Sequence, residues 1–370
     1  MSEAEKLFDA YCDELGPEKI IHIHDPSCGL KAILVVHNTA CGPSIGGVRM
    51  AEDVTTQEVF RLARAMTMKN AAAGLPHGGG KAGIIANPKT ADKGRLVRAF
   101  ARAIANIRSY IPGPDMGTNE TCMAWVRNEI ARSVGLPRVL GGIPLDEIGA
   151  TGYGVAQCAE VASSFCDLEL TGATMAIEGF GNVGRHAARY LAEKGVRLVA
   201  ASDTGGTLFD PNGINIEELS VAKQRAGSVT AFESGEQLSK AAIFSLPCDI
   251  FVPAARPDVI HADNAREIRA KLILQGANIP ATGDAEQILH ERGVLNLPDF
   301  IANAGGVICA SVEYHGGSES QAFEQIAEKI RRNTHEVLVR SRDEGILPRQ
   351  AAVALANERV RRAMAFRRCG

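Results

Sequence analysis

The chain has 370 residues, of which 45% are hydrophobic and 22% charged, with a formal net charge of -3 at neutral pH. That length exceeds what one hydrophobic core usually supports, so two domains are expected, and the near-neutral balance leaves no electrostatic footprint for nucleic acid. Nine cysteines without a C-x-x-C pair predict reduced thiols in a cytoplasm and exclude a disulfide framework or structural zinc. No apolar run approaches the roughly 18 residues that span a bilayer, and the opening residues 1–6 lack the form of a signal peptide.

His22 and His24 share one face of an expected strand, but no third ligand follows at a recognisable spacing, so no metal is expected. Residues 32–36 read as a second strand. Over residues 56–73 the apolar positions Val59, Leu62, Met66 and Ala73 recur at steps of three or four, which predicts an amphipathic helix with Lys69 on its covered stripe. The run His77-Gly78-Gly79-Gly80-Lys81 reads as a tight glycine turn feeding the strand 82–85. A helix over 93–110 follows, then a proline- and glycine-rich turn at 111–115. A second glycine-rich stretch, 141–154, is the expected domain boundary.

Beyond it, strand-like runs at 173–178, 196–202, 248–253 and 271–276 alternate with helical periodicity, the pattern of a doubly wound parallel sheet. A turn at 303–306 leads into two terminal helices, 319–342 and 349–367. The fold class is therefore α/β. Residues 1–145 are expected to form an α/β substrate and oligomerisation domain completed by the C-terminal helices 330–370, and 146–329 a Rossmann-like dinucleotide-binding domain. The basic cluster Arg359, Arg361, Arg362, Arg367 and Arg368 reads as a solvated helix face.

Lys69 and Lys81 carry the chemistry. Both lie in apolar or glycine-dense surroundings, where desolvation lowers a lysine pKa and can make the amine a base near neutral pH. Gly179-Phe180-Gly181-Asn182-Val183-Gly184 supplies the second half of a site, because it follows an apolar strand and opens a helix, the context in which G-x-G-x-x-G binds a pyrophosphate. Nineteen residues after Gly184, Asp203 ends the next strand, where a carboxylate accepts hydrogen bonds from an adenosine ribose. Thr204, Gly205 and Gly206 offer no cation for a 2′-phosphate, although Arg185 or Arg189 has the reach. NAD is the expected cofactor. A P-loop over Gly74 to Lys81 fails, since no serine or threonine follows the lysine.

The passages Gly42-Pro43-Ser44-Ile45-Gly46-Gly47-Val48-Arg49-Met50, Met66-Thr67-Met68-Lys69-Asn70, Gly78-Gly79-Gly80-Lys81, Pro112-Gly113-Pro114-Asp115-Met116-Gly117-Thr118 and Asn303-Ala304-Gly305-Gly306-Val307 resemble, in order, the signatures of the glutamate, leucine, phenylalanine and valine dehydrogenases. The substrate domain is most similar to the leucine and phenylalanine enzymes. The resemblance implies oxidative deamination of an L-amino acid to a 2-oxo acid and ammonia, in a homo-oligomer. It also implies roles: Lys69 holds the α-carboxylate, Lys81 is the low-pKa base that activates water, and Asp115 moves protons to and from the amino group. Thr151 and Asn278 match cofactor contacts, Asn303 lies near the reacting centre, and Gly46 and Gly47 bring backbone close to substrate. The assignment is coherent, since one ammonium must stay charged to bind an anion while its neighbour must lose a proton. A cleft between the domains, closing to expel water, is expected.

In glutamate-specific members a lysine and a serine grip the side-chain carboxylate where this chain has Ile45 and Ala310. An unpaired carboxylate there is costly, so an apolar substrate of the leucine, valine or phenylalanine type is expected, bordered by Ile45, Gly113, Val307 and Ala310. The alternatives are a glutamate dehydrogenase with other partners for that carboxylate, and an NAD-binding regulatory protein without turnover.

Overall fold

The structure, a computed structural model, describes residues 10–367; the opening residues 1–6 and Arg368, read above, lie outside them. The chain forms two compact units. One takes the chain up to Pro144, then Val307–Ala322 and the stretch from Ala354; the other takes Leu145–Gly306 and Phe323–Val353. The sequence reading places one return to the first unit, over 330–370. Instead the chain re-enters it at Val307, leaves at Phe323 and re-enters at Ala354.

The first unit is built on a five-stranded sheet, in which β1 (Lys19–Asp25), β2 (Leu30–Asn38), β3 (Ser44–Ala51), β4 (Gly78–Ile85) and β5 (Tyr110–Pro114) take the order β1-β2-β4-β3-β5. Period-two alternation in β2 divides the core. Leu34 and Val36 join Val48, Met50, Ile84, Val97, Phe100 and Met123 on one face, while Ile33 and Val35 join Val59, Phe60 and Ala63 on the other. Helices Lys93–Ala103 and Glu120–Ile130 supply the first cluster, and Thr56–Ala72 the second.

Three expectations change here. Gly78, Gly79 and Gly80 are strand residues of β4 and form no turn. Their missing side chains let neighbours approach: a Cβ on Gly79 would lie 2.0 Å from the Thr67 amide nitrogen, and one on Gly78 1.8 Å from the Asn38 carbonyl oxygen. The helix expected to reach residue 110 ends at Ala103, and Tyr110 opens β5. Prolines 112 and 114 belong to that strand, which they tolerate because β5 is at the sheet edge.

The second unit holds a seven-stranded sheet. β6 (Thr174–Glu178), β7 (Arg197–Asp203), β8 (Gly206–Phe209), β9 (Glu236–Leu238), β10 (Ile250–Pro253), β11 (Leu272–Leu274) and β12 (Leu295–Leu297) run in the order β12-β11-β10-β6-β7-β8-β9. The five strands from β12 to β7 are parallel, as expected, but β8 and β9 add an antiparallel edge. Ala176, Val199, Phe251, Ile273 and Leu289 fill one buried face. Asn303 and Ala304 separate a four-residue helix, Asp299–Ala302, from a further helix, Gly305–Tyr314, which Gly305 and Gly306 open. No helix among the described residues is long and apolar enough to cross a membrane.

Candidate active site

In the first unit Lys81 sits in the middle of β4, which pairs on both sides and leaves the residue only 5% exposed. Its Nζ lies 3.0 Å from Asp115 Oδ2. Burial is the largest influence on this amine and lowers its pKa from the ordinary lysine value. The Asp115 carboxylate pulls the other way, and the Arg49 guanidinium adds to the lowering. Arg49 Nε donates to the same Asp115 Oδ2 at 2.9 Å and its Nη1 bonds Glu58, so four alternating charges run Lys81, Asp115, Arg49, Glu58. Arg49 and Glu58 were not singled out from sequence. The available signal was an arginine alternating with the buried Val48 and Met50 of an apolar strand.

Asp115 follows β5 and is fixed by Thr118, whose Oγ1 accepts the Asp115 amide at 3.0 Å and donates to the Val48 carbonyl at 2.8 Å. Gly47 lies against both reactive groups: a Cβ there would be 2.7 Å from Asp115 Cβ and 3.1 Å from Lys81 Nζ. Gly46 is closed by backbone, since its Cβ would fall 1.6 Å from the Gly80 carbonyl oxygen. Buried Tyr110, also missed from sequence, holds the pair by donating to the Gly46 and Gly47 carbonyls at 2.7 and 3.3 Å.

Lys69 is placed differently from the covered stripe expected for it. Leu62, Met66 and Lys69 are half-buried, and the covered face of their helix runs through Phe60, Ala63 and Thr67. Where the helix meets the β4 glycines, the small and polar residues Thr67 and Asn70, not Met66 or Lys69, face the sheet. Thr67 packs on Gly79, and Asn70 Nδ2 donates to the Gly78 carbonyl at 2.7 Å.

Ile45, Ile111, Val134 and Ala310 form a separate buried apolar cluster. Gly113 adjoins it, its absent Cβ falling 3.1 Å from Val134 Cγ2, and Val307 is half-buried one helical turn before Ala310. Glu313 braces this cluster. Its carboxylate accepts the Leu136 and Ile143 amides at 3.1 and 2.9 Å, which pins the segment carrying Val134, and burial raises its pKa.

In the second unit the glycine turn follows β6 and opens the helix Asn182–Ala192. Gly179 takes φ +90°, in the left-handed region, and its Cβ would strike Ala255; Gly184 packs on the Gly179 carbonyl. A Cβ on Gly181 would meet nothing within 4 Å, so this turn is open where a pyrophosphate would lie on the helix N-terminus. Asn182 and Val183 begin the helix, with Asn182 Nδ2 donating to Asp146 Oδ1 at 3.0 Å. The residues fit a dinucleotide.

Thr151 begins the helix Ala150–Ala162, and its Oγ1 would be 3.2 Å from a Cβ on Gly306. Asn303 is buried. Its Nδ2 donates to the Gly276 and Ala277 carbonyls and to Asn278 Oδ1 at 3.1–3.3 Å, while its Oδ1 has no hydrogen-bond partner. Asn278 itself is exposed. Thr151, Asn303 and Gly306 are thus near neighbours, as are Asn303 and Asn278.

Asp203 ends β7 as expected; Thr204, Gly205 and Gly206 carry no cation, but Lys223, not considered from sequence, stands with its Nζ 3.0 Å from Asp203 Oδ2. Lys223 was hidden because it lies twenty residues on, in the helix Ile216–Ala226. Arg189 stacks on the Tyr190 ring and Arg185 lies beside His186.

Two family descriptions match the chain: the Glu/Leu/Phe/Val dehydrogenase dimerisation domain over residues 17–132, and the Glutamate/Leucine/Phenylalanine/Valine dehydrogenase domain over 141–368. A glutamate dehydrogenase of Aeropyrum pernix is 41% identical over 356 residues, covering 90% of this chain and 85% of the relative. An NAD-specific glutamate dehydrogenase of Staphylococcus aureus is 36% identical over 353 residues, covering 90% and 84%. Among solved structures, the leucine-bound hetero-hexameric glutamate dehydrogenase of Thermus thermophilus superposes with a TM-score of 0.85 at 28% identity, covering 96% of this chain and 91% of that one. The L-tryptophan dehydrogenase of Nostoc punctiforme does so with 0.76 at 27%, covering 98% and 99%. Matched over nearly its whole length, the chain belongs to the glutamate/leucine/phenylalanine/valine family of amino-acid dehydrogenases.

Proposed function

We propose that this protein oxidatively deaminates an L-amino acid with an apolar side chain, using NAD, to give the 2-oxo acid and ammonia. One observation carries the side-chain preference: the buried wall of Ile45, Ile111, Val134 and Ala310 offers no charge to a substrate carboxylate. Such a group left unpaired among these atoms costs several kcal/mol.

Lys69 anchors the α-carboxylate. Asp115 takes a proton from the substrate ammonium, leaving the amine lone pair free to form the C=N bond as the α-hydrogen departs as hydride. NAD, when bound, is the acceptor of that hydride. Lys81, its pKa lowered by burial, takes a proton from water as the oxygen attacks the imine carbon. Asp115 then returns its proton to nitrogen; as the C–N bond breaks, the carbinolamine hydroxyl gives up its proton to the departing ammonia, which leaves as ammonium, and the ketone forms. The 3.0 Å contact between Lys81 and Asp115 supports this exchange, and the Gly46-Gly47 backbone leaves room beside both. On the cofactor side, Gly179, Gly181, Asn182, Val183 and Gly184 would receive the pyrophosphate, Asp203 marks the adenosine end, and Thr151 and Asn278 would orient the nicotinamide amide.

Glutamate is the second reading, and the names of the relatives favour it: those from Aeropyrum and Staphylococcus are both glutamate dehydrogenases. The deciding experiment compares NAD reduction by purified protein with leucine, valine, isoleucine, phenylalanine, tryptophan and glutamate. The apolar reading expects kcat/KM on the best apolar substrate to exceed that on glutamate by about 100-fold or more. A preference for glutamate would replace it with the second reading. No turnover of any amino acid would favour a regulatory, non-catalytic role.

A further inference from the structure

The acid that ends β7 is spent on its own fold. Asp203 Oδ1 accepts the Gly205 amide at 2.8 Å and the Ser228 hydroxyl at 2.9 Å, while Oδ2 accepts the Val229 amide at 2.8 Å and Lys223 Nζ at 3.0 Å. An ionised carboxylate offers about four acceptor positions, and all of them are occupied. The Asp203 side chain is 8% exposed, against 24% for Lys223. A ribose 2′-hydroxyl arriving here would therefore not find a free carboxylate. It would find a donor in the Lys223 ammonium, which has two further N–H groups; the Ser228 hydroxyl proton is committed to Asp203, and the Thr230 hydroxyl, 2.9 Å away, donates to Ser228 in turn.

The charge count agrees. An acid at this position normally discriminates against NADP by repelling its 2′-phosphate and by gripping the free diol of NAD. Lys223 cancels the charge of Asp203, and the four internal donors occupy its grip. What remains is a neutral pair whose more exposed member is the cation. Arg185 and Arg189, the cations expected from sequence to have the reach, are engaged with His186 and Tyr190.

We infer that Lys223 is a specificity-determining residue for the cofactor, and that it makes the site accept a 2′-phosphorylated dinucleotide, NADP(H), alongside NAD(H). The inference rests on the dinucleotide reading of the glycine turn. It differs from the expectation of NAD alone, which rested on an acid at Asp203 and on the lack of a cation at Thr204, Gly205 and Gly206.

The test is direct binding, by calorimetry, of 5′-AMP, 2′,5′-ADP, NADH and NADPH to the full chain and to its Lys223→Met and Lys223→Arg variants. The parent is expected to bind 2′,5′-ADP at least as tightly as 5′-AMP, and NADPH within about tenfold of NADH. Lys223→Met is expected to weaken the two 2′-phosphorylated ligands by about tenfold or more while changing 5′-AMP and NADH by less than about threefold, as loss of one charge-assisted contact predicts. Lys223→Arg restores the difference. Parent protein that binds 5′-AMP and NADH but rejects 2′,5′-ADP and NADPH would overturn this inference and leave the dinucleotide site intact. So would equal losses of both ligand classes in Lys223→Met, which would mark a purely structural ion pair. A parent that binds none of the four would overturn the dinucleotide reading itself.

Discussion

Lys81 is held between opposing influences, burial driving its proton off and Asp115 holding it on, so its charge state depends on neighbours that can be removed singly. Because the neutral amine is the base, kcat/KM for deamination should rise with pH through a value below the ordinary 10.5 and then level. Lys81→Ala should lower kcat by about 100- to 10,000-fold and abolish that rising limb, while a bound 2-oxo acid dissociates nearly as before. Arg49 contributes positive charge beside Lys81, so Arg49→Met should displace the limb to higher pH and Arg49→Lys should largely restore it. An unshifted limb in Arg49→Met would remove Arg49 from the mechanism. At the pocket wall, Ile45→Lys with Ala310→Ser should raise kcat/KM on glutamate and lower it on apolar amino acids, read as the ratio of the two in one assay. The proximity of Lys81, Asp115 and the glycine pair is legible in sequence because each is a residue type under visible constraint. Arg49, Tyr110 and Lys223 are not, because their partners lie 66, 64 and 20 positions away and only the fold brings them together.

Among the elements, the seating of the Thr56–Ala72 helix on β4 is the most sensitive to a single carbon atom. Gly79→Ala would drive a Cβ to 2.0 Å from a backbone nitrogen, which cannot rotate aside, and should destabilise the first unit by about 3 kcal/mol or more. Thermal unfolding followed by circular dichroism checks this. In the second unit, Arg349 reaches from the Pro348–Met364 helix to buried Glu286 at 2.7 Å and to Asp299 at 3.0 Å, and Asp299 in turn accepts the Ile279 amide beside Asn278. Arg349→Met leaves two buried carboxylates without their cation and should cost about 3–5 kcal/mol; a melting temperature unchanged from the parent would contradict it. Elements with strong periodicity, such as β2 and the Thr56–Ala72 helix, were readable within a residue or two. The glycine triplet of β4 and the prolines of β5 were read as turns because their local preference is for turns. They are strands because of what approaches them, and that information is not local.

For the whole molecule, three imidazoles set its tolerance of acid. His37, His77 and His186 are each at most 5% exposed, and burial pushes their pKa values down to about 4 from 6.5. Between these values the unfolded chain binds protons that the folded chain excludes, so stability rises with pH through this window and falls as pH drops from about 6.5 to 4. Each group accounts for roughly 3 kcal/mol at the most. Denaturant midpoints measured across that range should therefore fall steeply on the acid side, and His37→Gln should flatten the slope; a flat profile in the parent would refute the argument. The two-unit architecture was foreseeable from length and from the change in strand pattern after residue 150. The triple crossing after Gly306 was not, since a helix written in sequence carries no mark of which sheet will cover it.

Thr67 and Asn70 bracket Lys69, and both are fastened to the glycines that immediately precede Lys81. The two amines are therefore carried on a helix and a strand that pack directly on one another. On the roles proposed, such a pair is a caliper: one jaw holds the carboxylate, the other marks where the amino-bearing carbon must lie. β-Amino acids, longer by one carbon between those groups, should bind through the first jaw and miss the second, acting as inhibitors and not as substrates.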